Sequence, residues 1–271
     1  MKLYLLYVKL CLISLALGLA TYLSAASFAS TTFKEYCEIK KCHYGNIGLG
    51  VGSYSFNARD SNFSSSVGYL YAGGGFVHNQ RIKFDVDVRL GGGRNTLQGS
   101  NFPTSFATSF NATFMDFTAK LGRNVLSKQI PLFINLVLGL TFDTPHKKNF
   151  GYVQALLGVE IDGQVAIAPN LLLSYGVGYG WLSMGYTYAN PAVFGYYKNN
   201  EIAESRSLGN FEFTTNVGIN YKFENDYVVF IRAVGRYQHI NASETIIYDN
   251  VPLRYPTSNN YAGMLEMGVE F

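Results

Sequence analysis

Charged side chains are scarce in this sequence. Lysine and arginine together number 21 and aspartate and glutamate 18, so that charged residues make up 14% of the 271 positions. A typical soluble domain carries about 25%, and a water-exposed surface usually needs more lysine and glutamate than this chain has. The net charge is +3, and the basic residues do not cluster in the sequence. Nucleic-acid binding requires a clustered basic surface, so we expect no nucleic-acid partner.

Long apolar segments are also missing after residue 30. Before that point, Lys2 and Lys9 precede an uncharged apolar run over residues 10–23 and then a group of small residues. This pattern predicts a signal peptide of residues 1–26, with cleavage after position 26 or 29. The alternative is a retained membrane anchor, because residues 10–29 are long enough to span a thin bilayer.

Cysteine is rare, with three residues in the chain. Cys37 and Cys42 lie in residues 27–43, which we expect to form a short periplasmic segment after the signal peptide. Two cysteines that close a short loop in an exported segment predict a local disulfide, because exported proteins meet an oxidising compartment. A zinc site would need a second pair of cysteines or histidines nearby. We expect neither a metal nor a cofactor.

Aromatic residues, at 15%, and glycine, with 28 residues, are abundant instead. From residue 44 to residue 271, apolar and polar residues alternate with the period of two that is typical of β-strands. The alternating segments are 44–57, 63–77, 80–91, 112–123, 131–142, 150–163, 170–186, 210–223, 227–240 and 260–271. We therefore expect residues 44–271 to form one all-β domain.

The alternation is clearest over residues 80–91. The apolar and charged faces are Ile82, Phe84, Val86, Val88 and Leu90 against Lys83, Asp85, Asp87 and Arg89. A soluble lipocalin-like barrel would turn the apolar face inward, whereas a membrane barrel would turn it toward lipid. Mostly long connections at one end and tight turns at the other favour the membrane barrel. We predict a closed antiparallel transmembrane β-barrel of about ten strands, with eight or twelve as alternatives, short periplasmic turns and longer extracellular loops.

The last strand carries the most specific signal. One parity of this strand is Tyr261, Gly263, Leu265, Met267, Val269 and Phe271. With the signal peptide and the strand end Tyr221-Lys222-Phe223, this pattern resembles bacterial outer-membrane β-barrels, in a style similar to the outer-membrane proteins of Helicobacter and its relatives. The resemblance implies a location in a Gram-negative outer membrane, contact with its lipid, and recognition of the six listed residues by the barrel-assembly machinery.

Charged residues face the lumen if the apolar parity meets lipid. The predicted lumen network is Lys83, Asp85, Asp87, Arg89, Asp116, Lys120, Glu160, Glu212, Lys222, Arg232, Arg236 and Glu266, with Asp162 and Glu270 at the same parity. A ten-stranded barrel is narrow, and buried charges have to be paired or hydrated. We therefore expect ion pairs that fill the interior. The alternative is a conducting lumen, which would make the protein a small, porin-like diffusion pore.

Catalytic residues are not predicted. Some ten-stranded outer-membrane barrels are surface proteases with acidic pairs and an Asp-His dyad, and Asp85-x-Asp87 resembles the acidic part of such a site. The second part is missing, because His239 has no neighbouring aspartate and by parity faces lipid or lies past the strand end. An outer-membrane enzyme is therefore the least favoured interpretation.

Three predicted loops offer a different function. Residues 92–111, 187–209 and 241–259 are polar, low in charge and spotted with aromatic residues such as Tyr248 and Tyr255. Loops on a rigid scaffold commonly carry binding function, although such loops can also merely cap the barrel. We predict a structural or surface-interaction role, adhesin-like, in which these loops contact a host or surface ligand.

Overall fold

The computed structural model describes most of the predicted barrel domain. The described residues are 43–79, 81–100, 108–126, 131–145, 151–187, 202–224, 227–248 and 250–271. The predicted signal peptide and the pair Cys37 and Cys42 lie outside the described residues. Within the described ranges, no helix has the length and hydrophobicity needed to cross a bilayer.

Thirteen strands are found in the described residues. They are β1 (His43–Ala58), β2 (Ser61–His78), β3 (Ile82–Gly99), β4 (Ser109–Asn124), β5 (Leu132–Pro145), β6 (Gly151–Ala168), β7 (Leu171–Thr187), β8 (Ile202–Ser205), β9 (Phe211–Lys222), β10 (Val228–Ile240), β11 (Ile246–Tyr248), β12 (Val251–Leu253) and β13 (Ser258–Glu270). Ten of these strands pair around a closed antiparallel ring, in the order β1 to β7, β9, β10 and β13. The predicted ten-stranded barrel is therefore confirmed. Strand β8 extends the edge of β7, and β11 pairs with β12 as a separate hairpin.

The ring closes between its first and last strands. β1 and β13 pair continuously, from Asn46 opposite Glu270 to Ala58 opposite Ser258. Beyond this ladder, the backbone N–H of Gly45 donates to the Phe271 carbonyl at 2.9 Å, and the Phe271 N–H donates to the Gly45 carbonyl at 2.9 Å. Hydrocarbon offers no partner for a free backbone group, so a barrel that spans a membrane has to close in this way.

Apolar side chains cover the outside of the ring. On β13, Tyr261, Leu265, Met267 and Phe271 are 57%, 46%, 53% and 59% exposed, whereas Glu266 of the opposite parity is 0% exposed. The other strands follow the same rule, with exposed Ile47, Leu49, Val51, Leu70, Leu90, Leu121, Leu136, Leu138, Leu157, Val159, Val217, Ile219 and Ile231. This apolar outside and charged inside is the arrangement of a transmembrane barrel, not of a soluble one.

Several strands are longer than a membrane requires. A transmembrane strand needs about 9–11 residues, whereas β1 to β7 contain 14–18 residues each. The prediction of a loop over residues 92–111 was wrong, because β3 continues to Gly99 and β4 begins at Ser109. Gly91 does not end β3. It lets Tyr69 pack against the wall, since a Cβ at this position would lie 2.6 Å from the Cβ of Tyr69.

The two ends of the barrel differ in their connections. At the end called here the turn end, the connections are residues 79–81, 125–131, 169–170 and 223–227. At the opposite loop end, they are residues 59–60, 100–108, 146–150, 188–210 and 241–257. The predicted loops 187–209 and 241–259 contain strand β8 and the β11–β12 hairpin, respectively. Strand β1 begins, and β13 ends, at the turn end.

The facing of β3 predicts unequal effects of two adjacent substitutions. We expect Val86→Arg to destabilise the barrel by about 2–4 kcal/mol, because it places a cation on the lipid face, in the middle of the outward apolar row from Ile82 to Leu90. Asp87→Asn is the matched control. Asp87 faces the lumen and accepts a hydrogen bond from the Tyr71 hydroxyl at 2.6 Å, which an amide oxygen can still accept. Urea unfolding in lipid vesicles measures both; equal losses would contradict the assigned facing.

Candidate functional site

The lumen contains a central cluster of five charged residues. Arg89 on β3 bonds Asp116 through Nη1 at 2.9 Å and Glu266 on β13 through Nε at 2.6 Å. Strand β10 adds Arg232, whose Nη2 lies 2.5 Å from Glu266 Oε2, and Arg236, whose Nη1 lies 3.0 Å from Asp116 Oδ2. Three guanidinium groups thus share two carboxylates that are almost fully buried. This cluster crosses the lumen and ties β3, β4, β10 and β13 together.

Strand β2 holds the central cluster from the side. The guanidinium carbons of Arg89 and Arg232 lie 5.2 and 5.0 Å from the centre of the Tyr71 ring. These are cation–π distances, and such contacts are strongest where water is excluded. The hydroxyl of Tyr69 donates to Glu266 at 3.1 Å. The aromatic residues of β2 therefore position the charges that β3, β10 and β13 supply.

A second group of charges lies toward the turn end. Lys83 Nζ bridges Asp85 at 2.9 Å and Asp162 at 2.5 Å, and Lys120 Nζ lies 2.7 Å from Glu160. The Lys83–Asp162 pair links β3 to β6, and the Lys120–Glu160 pair links β4 to β6, so both pairs connect strands that are not consecutive in the sequence. The structure therefore brings most of the predicted lumen network into direct ion pairs.

The remaining residues of the predicted lumen network, Asp87, Glu212 and Lys222, also lie at inward-facing positions of their strands. For Asp87 and Glu212 the main contact is a hydrogen bond from a neutral side chain. Asp87 accepts from the Tyr71 hydroxyl, and Glu212 accepts from the Gln238 amide at 2.6 Å. Lys222 lies at an inner position of β9 close to the turn end. Hydrogen bonds from neutral side chains thus complete the charge network.

Two adjoining cavities occupy the space that the charged side chains leave free in the lumen. One of about 170 Å³ lies at the turn end and one of about 80 Å³ lies beside the central cluster. Residues that line both are Asp87, Lys120, Glu160, Asn216 and Arg232. We call the two together the turn-end chamber. Its walls carry both signs of charge, which favours water and small polar solutes over apolar ligands.

Toward the loop end the lumen is filled by an aromatic cluster. Its rings include Tyr54, Phe56, Phe63, Phe114 and Tyr152, each at most 6% exposed. The Phe56 ring centre lies 4.8 Å from that of Tyr152 and 5.4 Å from that of Phe63, and Tyr54 lies 5.4 Å from Phe114. These distances are those of packed aromatic pairs, so packed rings occupy the lumen on the loop-end side of the central cluster.

The connection between β10 and β13 folds over the aromatic cluster. Within residues 241–257, Leu253 and Tyr255 are 3% and 1% exposed, and the Tyr255 ring stacks on Tyr186 at 4.1 Å. The Ser243 N–H donates to the Tyr255 carbonyl and the Ser243 hydroxyl accepts from the Tyr255 N–H. The expectation that Tyr255 is an exposed loop aromatic was wrong, because its ring completes the apolar interior.

The residues considered for a protease site lie apart. Asp85 and Asp87 face the turn-end chamber. His239 has the outward parity at the loop end of β10, where it stacks on Phe211 at 5.6 Å and contacts Asn259 Oδ1 at 2.9 Å. Among the described residues, no group of three or more histidine, cysteine or acidic side chains could hold a metal ion.

The aromatic cluster is the feature that sequence reasoning missed. On β2 the apolar residues Phe63, Val67, Tyr69 and Tyr71 point inward, while their neighbours on the outside are serine, glycine and leucine. The stretch from Ser64 to Gly68 could have indicated the inward aromatic residues, because its outward positions hold small residues that are poorly suited to contact with lipid. The alternation alone does not say which parity faces inward.

No protein-family model matches this sequence, and no curated protein is significantly similar to it. Similar solved structures include Neisserial surface protein A, the translocator domain of the autotransporter NalP from Neisseria meningitidis and the transport unit of the autotransporter AIDA-I from Escherichia coli. They are 12%, 10% and 14% identical to this chain, with TM-scores of 0.38, 0.44 and 0.35. The matches cover 84%, 94% and 92% of this chain and 95%, 97% and 97% of those chains. At these values the similarities carry no argument about function, and the barrel assignment rests on the strand pairing itself.

The central cluster predicts a large cost for losing one shared carboxylate. We expect Glu266→Gln to destabilise the barrel by about 3–5 kcal/mol, because Arg232 would lose its carboxylate partner and Arg89 would keep only Asp116, which it shares with Arg236. Glu204→Gln is the matched control, since Glu204 pairs with Arg206 at 2.7 Å on the surface, with side chains 35% and 69% exposed. That change should cost less than about 1 kcal/mol. Thermal unfolding of the refolded proteins compares them, and similar losses would contradict the role of the cluster.

Proposed function

We propose that this chain is an integral protein of a Gram-negative outer membrane that acts through its extracellular surface and does not conduct solutes. The apolar outside of the closed ring suits lipid, and outer-membrane barrels place short turns in the periplasm and longer loops outside the cell. The turn end is then periplasmic and the loop end extracellular. The resemblance to Helicobacter proteins stays a prediction.

The observation that carries this proposal is the aromatic cluster. A diffusion pore needs a continuous hydrated path, whereas packed rings separate the turn-end chamber from the extracellular side. The Leu253 and Tyr255 side chains add a second layer above the rings. The side chains in the lumen thus stabilise the wall and the loops, and we assign the contact function to the extracellular surface.

The extracellular surface is ordered where it is described. Asn241 Nδ2 donates to Ser207 Oγ at 2.9 Å, and its backbone N–H donates to Asn210 Oδ1 at 2.8 Å. These bonds fix the connection after β8 to the connection after β10. Leu208 and Ile247 project from this surface, 92% and 55% exposed. A preorganised surface loses little conformational entropy on binding, which favours a contact role.

A double substitution tests the contact role. We expect Leu208→Asp with Ile247→Asp to lower the binding of whole cells to cultured host cells by about tenfold, which corresponds to roughly 1.4 kcal/mol, while the barrel stays folded. Leu126→Asp is the matched control, because Leu126 is 59% exposed but lies at the turn end. Surface level is checked by antibody labelling of intact cells. Binding that is unchanged in the double variant would contradict the proposed surface.

The outward row of β13 is proposed to be the segment that the barrel-assembly machinery recognises. Phe271 is 59% exposed and its two hydrogen bonds with Gly45 are made by backbone atoms, so its ring is not needed for the hydrogen bonds that close the ladder. We expect Phe271→Asp to reduce heat-modifiable protein in the outer-membrane fraction severalfold, with little effect on refolding in detergent. Phe223→Asp, at another exposed aromatic of the turn end, is the control. Equal losses for both variants would contradict specific recognition of β13.

A further inference from the structure

Among the buried side-chain oxygens without a hydrogen-bond partner in the described residues, four belong to residues that strand pairing and one hydrogen bond connect in the loop-end half of the lumen. They are Oδ2 of Asp143, Oδ1 of Asn95, Oη of Tyr152 and Oγ of Ser65. The four residues are 3%, 0%, 1% and 1% exposed. Buried polar atoms are nearly always paired, so four unpaired oxygens on connected residues, one of them a carboxylate oxygen, favour a bound species.

Strand pairing forms two couples from these residues, and one hydrogen bond connects the couples across β4. Asn95 Nδ2 donates to Asp143 Oδ1 at 2.7 Å. Tyr152 lies directly opposite Asp143 in the β5–β6 pair, and Ser65 lies directly opposite Asn95 in the β2–β3 pair. Directly opposite residues have Cβ atoms about 5 Å apart. Two of the oxygens belong to hydroxyls that could donate, yet neither donates to the free carboxylate or amide oxygen.

Asp143 also differs from most of the other buried carboxylates in its charge environment; Glu212 likewise has no ion pair among the described residues and accepts from Gln238. Asp85, Asp116, Glu160, Asp162 and Glu266 each have a lysine or arginine nitrogen within 3.0 Å. No such ion pair is found for Asp143 among the described residues. Its neighbours are aromatic, with Phe114 opposite it on β4 and the Tyr152 ring packed against Phe56. A carboxylate in such surroundings is costly to ionise without a compensating positive charge.

We propose that Asp143, Asn95, Tyr152 and Ser65 bind one monovalent cation of the size of sodium. Carboxylate, amide and hydroxyl oxygens are ligands for hard cations. One positive charge balances the one carboxylate, whereas a divalent ion would leave an excess charge among aromatic rings. The bound ion joins β2, β3, β5 and β6 at the level of the aromatic cluster and so stabilises the closed lumen. This inference goes beyond the proposed surface function and does not depend on it.

The test compares thermal unfolding of the refolded full chain in sodium chloride and in choline chloride at equal ionic strength and pH 8. Choline is too large to enter the site. With sodium at about tenfold excess over its Kd, we expect the midpoint of the wild-type protein to be about 3–6 °C higher in sodium. Asp143→Asn should lose this difference. Asp87→Asn, which neutralises a lumen carboxylate outside the site, should keep it.

Tyr152→Phe gives a second readout if Asp143→Asn does not refold, because it keeps the ring and removes one oxygen ligand. We expect its sodium-dependent difference to shrink by at least half. The proposal is overturned if the wild-type midpoint is the same in both salts, which would leave Asp143 as a protonated carboxyl. It is also overturned if the difference persists unchanged in Asp143→Asn or in Tyr152→Phe.

Discussion

The pairing of β1 with β13 is the constraint on which the rest of the molecule depends. An unpaired strand edge cannot be left in hydrocarbon, because no water is available for its backbone groups. Closing the ring removes both edges and fixes which parity of each strand faces lipid. Once the parity is fixed, the charges of β3, β4, β6, β10 and β13 have only the lumen to occupy.

The narrow lumen in turn dictates how the charges are arranged. Ten strands enclose a space in which side chains from opposite walls meet. Arg89 on one wall therefore reaches Glu266 on β13, and Arg232 and Arg236 complete the cluster from β10. The desolvation cost of these groups is offset because each carboxylate of the cluster serves two guanidinium groups. What remains of the lumen is a chamber at the turn end and, at the loop end, packed aromatic rings with buried polar side chains among them.

The sequence predicted the strands of the barrel wall better than the contacts of the side chains that fill the lumen. The alternation from Ile82 to Leu90 and from Tyr261 to Phe271 was sufficient to predict strands, since a period of two has direct geometric meaning. The long connections at one end and the tight turns at the other were needed to predict which face meets lipid. Ion partners were not predictable, because Arg89 and Glu266 lie 177 positions apart and meet only when the ring closes. The inward aromatics of β2 were missed because alternation does not say which parity is inside where a strand extends beyond lipid. The burial of Tyr255 depends on how a loop folds, which its composition does not reveal.

The central claim is that the lumen is closed between the turn-end chamber and the loop end. Single-channel recording of the refolded full chain in a planar bilayer tests this claim most directly, with heat-modifiability confirming that the inserted protein is folded. The account predicts no steady open state at moderate voltage, because the aromatic cluster and Tyr255 interrupt the hydrated path. A steady, reproducible open conductance would contradict the account and would support a passive pore instead.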